Sequence, residues 1–207
     1  MGIGDFFTRL FFGKKSSHFF ASEEGKKRNA MKTAEGLVPI IGGNVKEREG
    51  GDEVHVTGDY MGISTRVVLD LRRGTCSVEM KAMSNAPFFM LFHDSKGRQA
   101  YESQGKNKDE WDEGKDDEQK VFVSEHCCFE GDKNQIEEQK AFWAKIPEDA
   151  KNGIIAVFEE NNGSFVIDGK GNAKLEPSVG ILGTGNEVEK IKKYMDLLSS
   201  VVKGLLG

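Results

Sequence analysis

Apolar positions along the chain change period from one region to the next. Ile3, Phe6, Phe7, Leu10 and Phe11 recur at i, i+3, i+4, i+7 and i+8, which predicts an amphipathic helix over residues 3–12. Its apolar arc is roughly 140° wide, with Asp5, Thr8 and Arg9 opposite. Phe12 falls on the polar side and Gly13 stops the pattern. Residues 13–25, GKKSSHFFASEEG, read as a tether carrying a second aromatic pair, Phe19 and Phe20. A further helix is predicted over 23–37, ending before Pro39 and the Gly42–Gly43 pair.

The period then drops to two. Val54, Val56 and Tyr60 alternate with His55, Thr57 and Asp59; Thr65, Val67, Leu69 and Leu71 alternate with Arg66, Val68, Asp70 and Arg72; Cys76, Val78, Met80 and Ala82 alternate with Ser77, Glu79 and Lys81. Short connections at Met61–Gly62 and Arg73–Gly74 make this an antiparallel meander with one buried and one solvated face. Residues 44–49 add a strand before it. PFFMLFHD and RQAYES read as one more hairpin, turning at Ser95–Lys96–Gly97, and KVFVSEHCCF as a further strand.

Asp132 is placed to cap a helix running through Ile146, and Pro147 suits the first turn of the next, whose apolar face is Ala150, Ile154, Val157 and Phe158. A hairpin turns at Asp168–Gly169–Lys170–Gly171. A last helix from about residue 186 carries Val188, Ile191, Tyr194, Met195, Leu198, Val201, Val202 and Leu205 on one face. Segregated strands and helices predict an α+β fold, an antiparallel β-meander packed with helices, plus the N-terminal amphipathic helix on its tether. The predicted division is 1–22 and 23–207, with two lobes, about 23–103 and 119–207, as the alternative. Between those lobes lies an acidic loop, residues 104–118, whose one aromatic is Trp111.

Charge sharpens the picture. The chain is 37% hydrophobic with a formal net charge of −5, which argues against general nucleic-acid binding because phosphate neutralisation needs a basic surface. The charge is uneven. Residues 1–35 hold seven Lys/Arg and four Asp/Glu, net +3, leaving −8 for the remainder. Three cysteines, Cys76, Cys127 and Cys128, two of them adjacent, suit a reducing compartment better than a disulfide framework. No run approaches the about eighteen apolar residues of a membrane span. The N-terminus lacks the charge order and cleavage site of a secretory signal, and Phe at position 6 does not fit myristoylation of Gly2. The expected location is the cytoplasm, with peripheral attachment to the inner face of a membrane as the further option.

Candidate chemistry is sparse. VGILGTGNEVEK imitates a phosphate-binding loop, but a dinucleotide fold needs another strand and an acidic residue beyond that helix, so a glycine-rich turn capped by Thr184 or Asn186 is the simpler reading. The acidic loop fails as a calcium hand, since alignment on Gly114 places Trp111 and Lys120 where oxygen ligands are needed. In EHCCF, strand alternation predicts one buried and one half-exposed cysteine, with a thiol–imidazole pair from His55 or His93 as the reactive alternative. Asp59, Arg66, Asp70, Arg72, Glu79 and Lys81 on the solvated face are expected to pair across strands. No catalytic set, metal site or cofactor is predicted.

The N-terminal helix therefore carries the functional expectation. Too short to be stable alone in water, it needs a surface: the chain's own core, a membrane interface or a groove on another protein. The predicted function is a non-catalytic interaction module recruited to a membrane surface or larger assembly, with Ile3, Phe6, Phe7, Leu10 and Phe11 as the docking face and Arg9, Lys14 and Lys15 as its basic partners. Trp111 is a second contact candidate. The alternative is a small-molecule binder or enzyme with a pocket between the sheet and the helices of 132–160. Self-association through the last helix is the remaining partner option.

Overall fold

Alternating apolar positions become a nine-stranded antiparallel sheet. The structure is a computed structural model that describes residues 23–48, 50–82, 88–105 and 119–206. Its strands are β1 (Asn44–Glu47), β2 (Glu53–Tyr60), β3 (Ile63–Asp70), β4 (Thr75–Lys81), β5 (Phe89–His93), β6 (Gln119–Phe122), β7 (Cys127–Gly131), β8 (Gly163–Ile167) and β9 (Asn172–Pro177). They lie in the order β1-β2-β3-β4-β9-β8-β5-β7-β6. The meander of β1 to β4 is as predicted, and strands from both halves of the chain share the sheet through the β4–β9 and β5–β8 pairs.

Register puts one row of apolar side chains across six strands. Val56 faces Val67, Val67 faces Val78, Val78 faces Leu175, Leu175 faces Phe165, and Phe165 faces Leu91. All six are fully buried. Burying each such side chain contributes about 1.5–3 kcal/mol, so a one-residue slip in any strand would turn its members outward at that cost.

Helices cover this face. They are α1 (Glu23–Ile41), α3 (Lys133–Lys145), α4 (Glu148–Asn161) and α5 (Glu187–Leu206), and a further short helix, α2 (Gly97–Gly105), lies outside this layer. Ala30, Ala34, Leu37 and Ile41 of α1, Ile136 and Phe142 of α3, Ala150, Ile154 and Phe158 of α4, and Ile191, Met195, Leu198, Val201 and Val202 of α5 join the sheet's inner face in one core. The α5 stripe is thus spent on the chain's own core, packed against β4 and β9.

Three elements differ from the sequence expectation. Helix α1 passes through Pro39 and ends at Ile41. Pro39 forfeits one helical hydrogen bond, but Leu37 and Ile41 on either side of it are buried, and the chain leaves the helix only at Gly42, whose φ of +59° favours glycine. RQAYES forms α2 rather than a strand, because both edges of β5 are already taken by β8 and β7. Gly97 at φ +76° starts the helix, and Arg98 pairs with Glu102 one turn on. KVFVSEHCCF is a hairpin, β6 and β7, rather than one strand. Its turn is held by the Val123 N–H donating to Cys127 O and the Cys127 N–H donating to Ser124 Oγ.

Asp132 caps α3 as expected. Its carboxylate accepts from the N–H groups of Asn134 and Gln135, at 2.8 and 2.9 Å, while the Gln135 side chain accepts from the Asp132 N–H. Replacing Asp132 with Ala is expected to cost about 1 kcal/mol and Asp132→Asn much less; the urea unfolding midpoints of the two variants check this.

Candidate functional site

The residues singled out from sequence, Ile3, Phe6, Phe7, Arg9, Leu10, Phe11, Lys14, Lys15 and Trp111, lie outside the described residues. The site that the described residues build is the sheet face opposite the core. Strand alternation sends every second side chain there, and the face divides into a polar half and an aromatic end.

On the polar half, charges are paired. His55 Nε2 lies 2.9 Å from Glu53, Arg48 lies 3.0 Å from the same carboxylate, and Arg66 donates toward His55 Nδ1 at 3.4 Å. The His55 and Arg48 hydrogen bonds hold Glu53 below the usual carboxylate range. Arg66 reaches Glu79 at 3.8 Å, and Lys174 meets Glu176 at 2.5 Å. Arg72 lies past the end of β3 and bonds Asp52 instead of joining the face. A hollow of about 220 Å³ remains between Arg48, Glu53, Arg66, Glu79, Lys174 and Glu176. Each exposed pair there contributes about 0.2–1 kcal/mol; Arg66–Glu79 is the expected cross-strand pair, whereas Glu53–His55 and Lys174–Glu176 lie within single strands, Asp70 pairs with Arg73 in the following turn and Lys81 bonds the Lys170 carbonyl oxygen.

The aromatic end is different. PFFMLFHD is apolar at both parities: Phe89 and Leu91 enter the core, while Met90 and Phe92, with Phe88 just ahead, face outward. Phe92 pairs with Cys128 and Cys128 with Phe122, and the Tyr101 ring of α2 lies 5.6 Å from that of Phe122. Lys120 bonds Asp94 at 2.7 Å and holds its ammonium 5.6 Å from the Phe92 ring centre. Phe88 is 60% exposed, and Met90 and Tyr101 37% each. Aromatic and Met side chains contiguous on a surface are typical of contact sites. The doubled apolar parity of PFFMLFHD was the sequence signal for this surface, obscured because its outer row joins Phe122 and Tyr101 only through long-range pairing.

The groups with reactive potential are engaged inside the fold. Cys127 and Cys128 are both fully buried, not one buried and one half-exposed, because the inner face takes Cys127 into the core while Phe92 and Phe122 flank Cys128 on the outer face. Burial pushes the Cys76 and Cys128 thiols up to about 12 and raises Cys127 as well. His126 sits beside His93, their rings 5.2 Å apart, with Nδ1 3.1 Å from the Asp94 carbonyl oxygen. Among the described residues no group of three His, Cys, Asp or Glu is placed to hold a metal ion. A shift from an ordinary thiol value of 9.0 to about 12 lowers the thiolate fraction about 1,000-fold at pH 8. Alkylation at pH 8 is therefore expected to spare Cys76 and Cys128 in the native protein and label both in guanidinium, as mass spectrometry of the labelled chain would report.

The glycine-rich loop before α5 holds its own carboxylate. Gly183 and Gly185 adopt φ of +89° and +88°, and the Gly183 N–H donates to Glu187 at 2.6 Å. Burial works against the Glu187 charge, but the N–H groups of Glu187, Gly185, Gly183 and Thr184 outweigh it and hold the carboxyl below its ordinary 4.5. Glu187 thus stands where a bound phosphate would need those donors. Because the folded value is the lower one, the stabilisation is full above pH 4.5 and disappears as pH falls through the folded value. Glu187→Gln is expected to be less stable than wild type at neutral pH and to lose less further stability below pH 4.5, measured by urea unfolding across that window.

Between the sheet and the helices of 132–160, the region of the alternative pocket reading, lies an aromatic cluster. Phe89 lies 5.1 Å from Phe142, 5.9 Å from Trp143, 5.8 Å from Phe165 and 6.1 Å from Phe129, ring centre to ring centre. Such a cluster adds about 0.5–1.5 kcal/mol per ring pair to its burial. No described helix is long and apolar enough to cross a membrane. No protein-family model, curated protein or solved structure matches the chain.

Proposed function

We propose that the chain is a non-catalytic interaction module, recruited to an anionic membrane surface by its N-terminal segment. The observation that supports this reading is the start of α1. The helix turns Ala30, Ala34, Leu37 and Ile41 inward and exposes Arg28 and Lys32 beside Glu24 and Glu35, with Lys27 bonded to Glu47, where residues 1–22 join the fold. Arg28 and Lys32 continue the sign of Arg9, Lys14 and Lys15, while Ile3, Phe6, Phe7, Leu10 and Phe11 supply the apolar area that an interfacial helix buries. Each basic residue near an anionic leaflet contributes about 1 kcal/mol and is screened within a Debye length. The burial of the thiols and the occupied glycine loop support a binding role over a catalytic one. A protein groove is the second surface that the same stripe fits.

Deleting residues 1–20 separates recruitment from folding. The truncated chain is expected to keep its circular dichroism and melting temperature, and to lose at least about tenfold in binding to phosphatidylserine vesicles, a difference that shrinks in high salt. A truncated chain that fails to fold would make the segment part of the core and end the proposal. Full-length protein that ignores such vesicles would remove the membrane and leave a protein assembly as the recruiting surface.

A further inference from the structure

We infer that the aromatic end of the open sheet face is the resting seat of the chain's own residues 3–11, so that recruitment requires their release. The inference rests on the reading above and adds a regulation to it. Among the described residues, five large apolar side chains stand out as exposed, and three of them, Phe88, Met90 and Tyr101, belong to this one surface. Met61 and Val179 stand apart from it, Met61 on the β2–β3 turn and Val179 after β9. Phe92 and Phe122 make the surface continuous between Met90 and Tyr101.

Chemistry and reach point to the N-terminal stripe as the occupant. Ile3, Phe6, Phe7, Leu10 and Phe11 offer an apolar face of matching character, which needs some surface to be stable as a helix. Helix α1 begins beside Gly51, Asp52, Leu71 and Arg72, near the ends of β2 and β3. From there β5 is four to five strands away in the sheet order, about 19–24 Å at strand spacing. Residues 13–22 span up to about 35 Å when extended, which covers that distance along the sheet and leaves about 11–16 Å for passing from the helix-covered face to the open one.

The test combines trypsin cleavage at Lys14–Lys15 with binding to phosphatidylserine vesicles, using full-length protein and the double variant Phe88→Ser, Met90→Ser. Both side chains are exposed, so the melting temperature is expected to hold; Tyr101→Ser, on a separate element, gives the same comparison should the double variant melt early. Release of the stripe is expected to speed cleavage about tenfold and to tighten vesicle binding severalfold. Faster cleavage without vesicle binding by either protein would keep the seat and reject membrane recruitment. Unchanged cleavage and unchanged vesicle binding would overturn the seat. Protection that weakens on dilution would also overturn it, since the occupant would then be a second copy.

Discussion

The fold depends on one row of side chains, Val56, Val67, Val78, Leu175, Phe165 and Leu91, each facing the next across six strands. It fixes which parity of each strand is inward, and so which face the helices cover. It also joins the two halves of the chain, because Leu175 and Phe165 come from beyond residue 160 and stand between Val78 and Leu91. Helix α5 completes the arrangement by laying Ile191, Met195, Leu198 and Val202 against β4 and β9, at the seam between the halves.

With helices on one side, the other face must be solvated or partnered. Its polar half is stabilised by its own pairs, from Glu53–His55–Arg66 through Glu79 to Lys174–Glu176. Beyond β8 the outward parity becomes aromatic, with one charged cluster, Asp94–Lys120–Glu130, beside Phe92. A sheet that is polar outside at one end and aromatic outside at the other presents a surface with a direction. Its aromatic end adjoins the only described helix outside the core layer, α2, through Tyr101.

Reactive groups sit where the fold uses them. The thiols fill core and sheet positions whose low polarity favours the neutral form. Glu187 meets the donors of a helix start that an anion would otherwise seek. These are structural solutions to local polarity, and among the described residues they leave the aromatic surface as the feature that internal bonding does not explain.

Much was legible in order along the chain. Alternation located β2, β3 and β4, the Asp168–Gly171 turn located β8 and β9, the Asp132 cap located α3, and the 3.6-residue period located α5, because each of these depends on near neighbours in the chain. What only tertiary structure decided depended on competition between distant segments. RQAYES became a helix because β7 and β8 had filled both edges of β5; α1 continued past Pro39 because Leu37 and Ile41 had a core to enter; both cysteines of β7 became buried because Phe92 and Phe122 arrived on the outer side. Periodicity determines which residues share a face, but which face finds a partner is decided by pairing energies between strands and helices far apart in sequence.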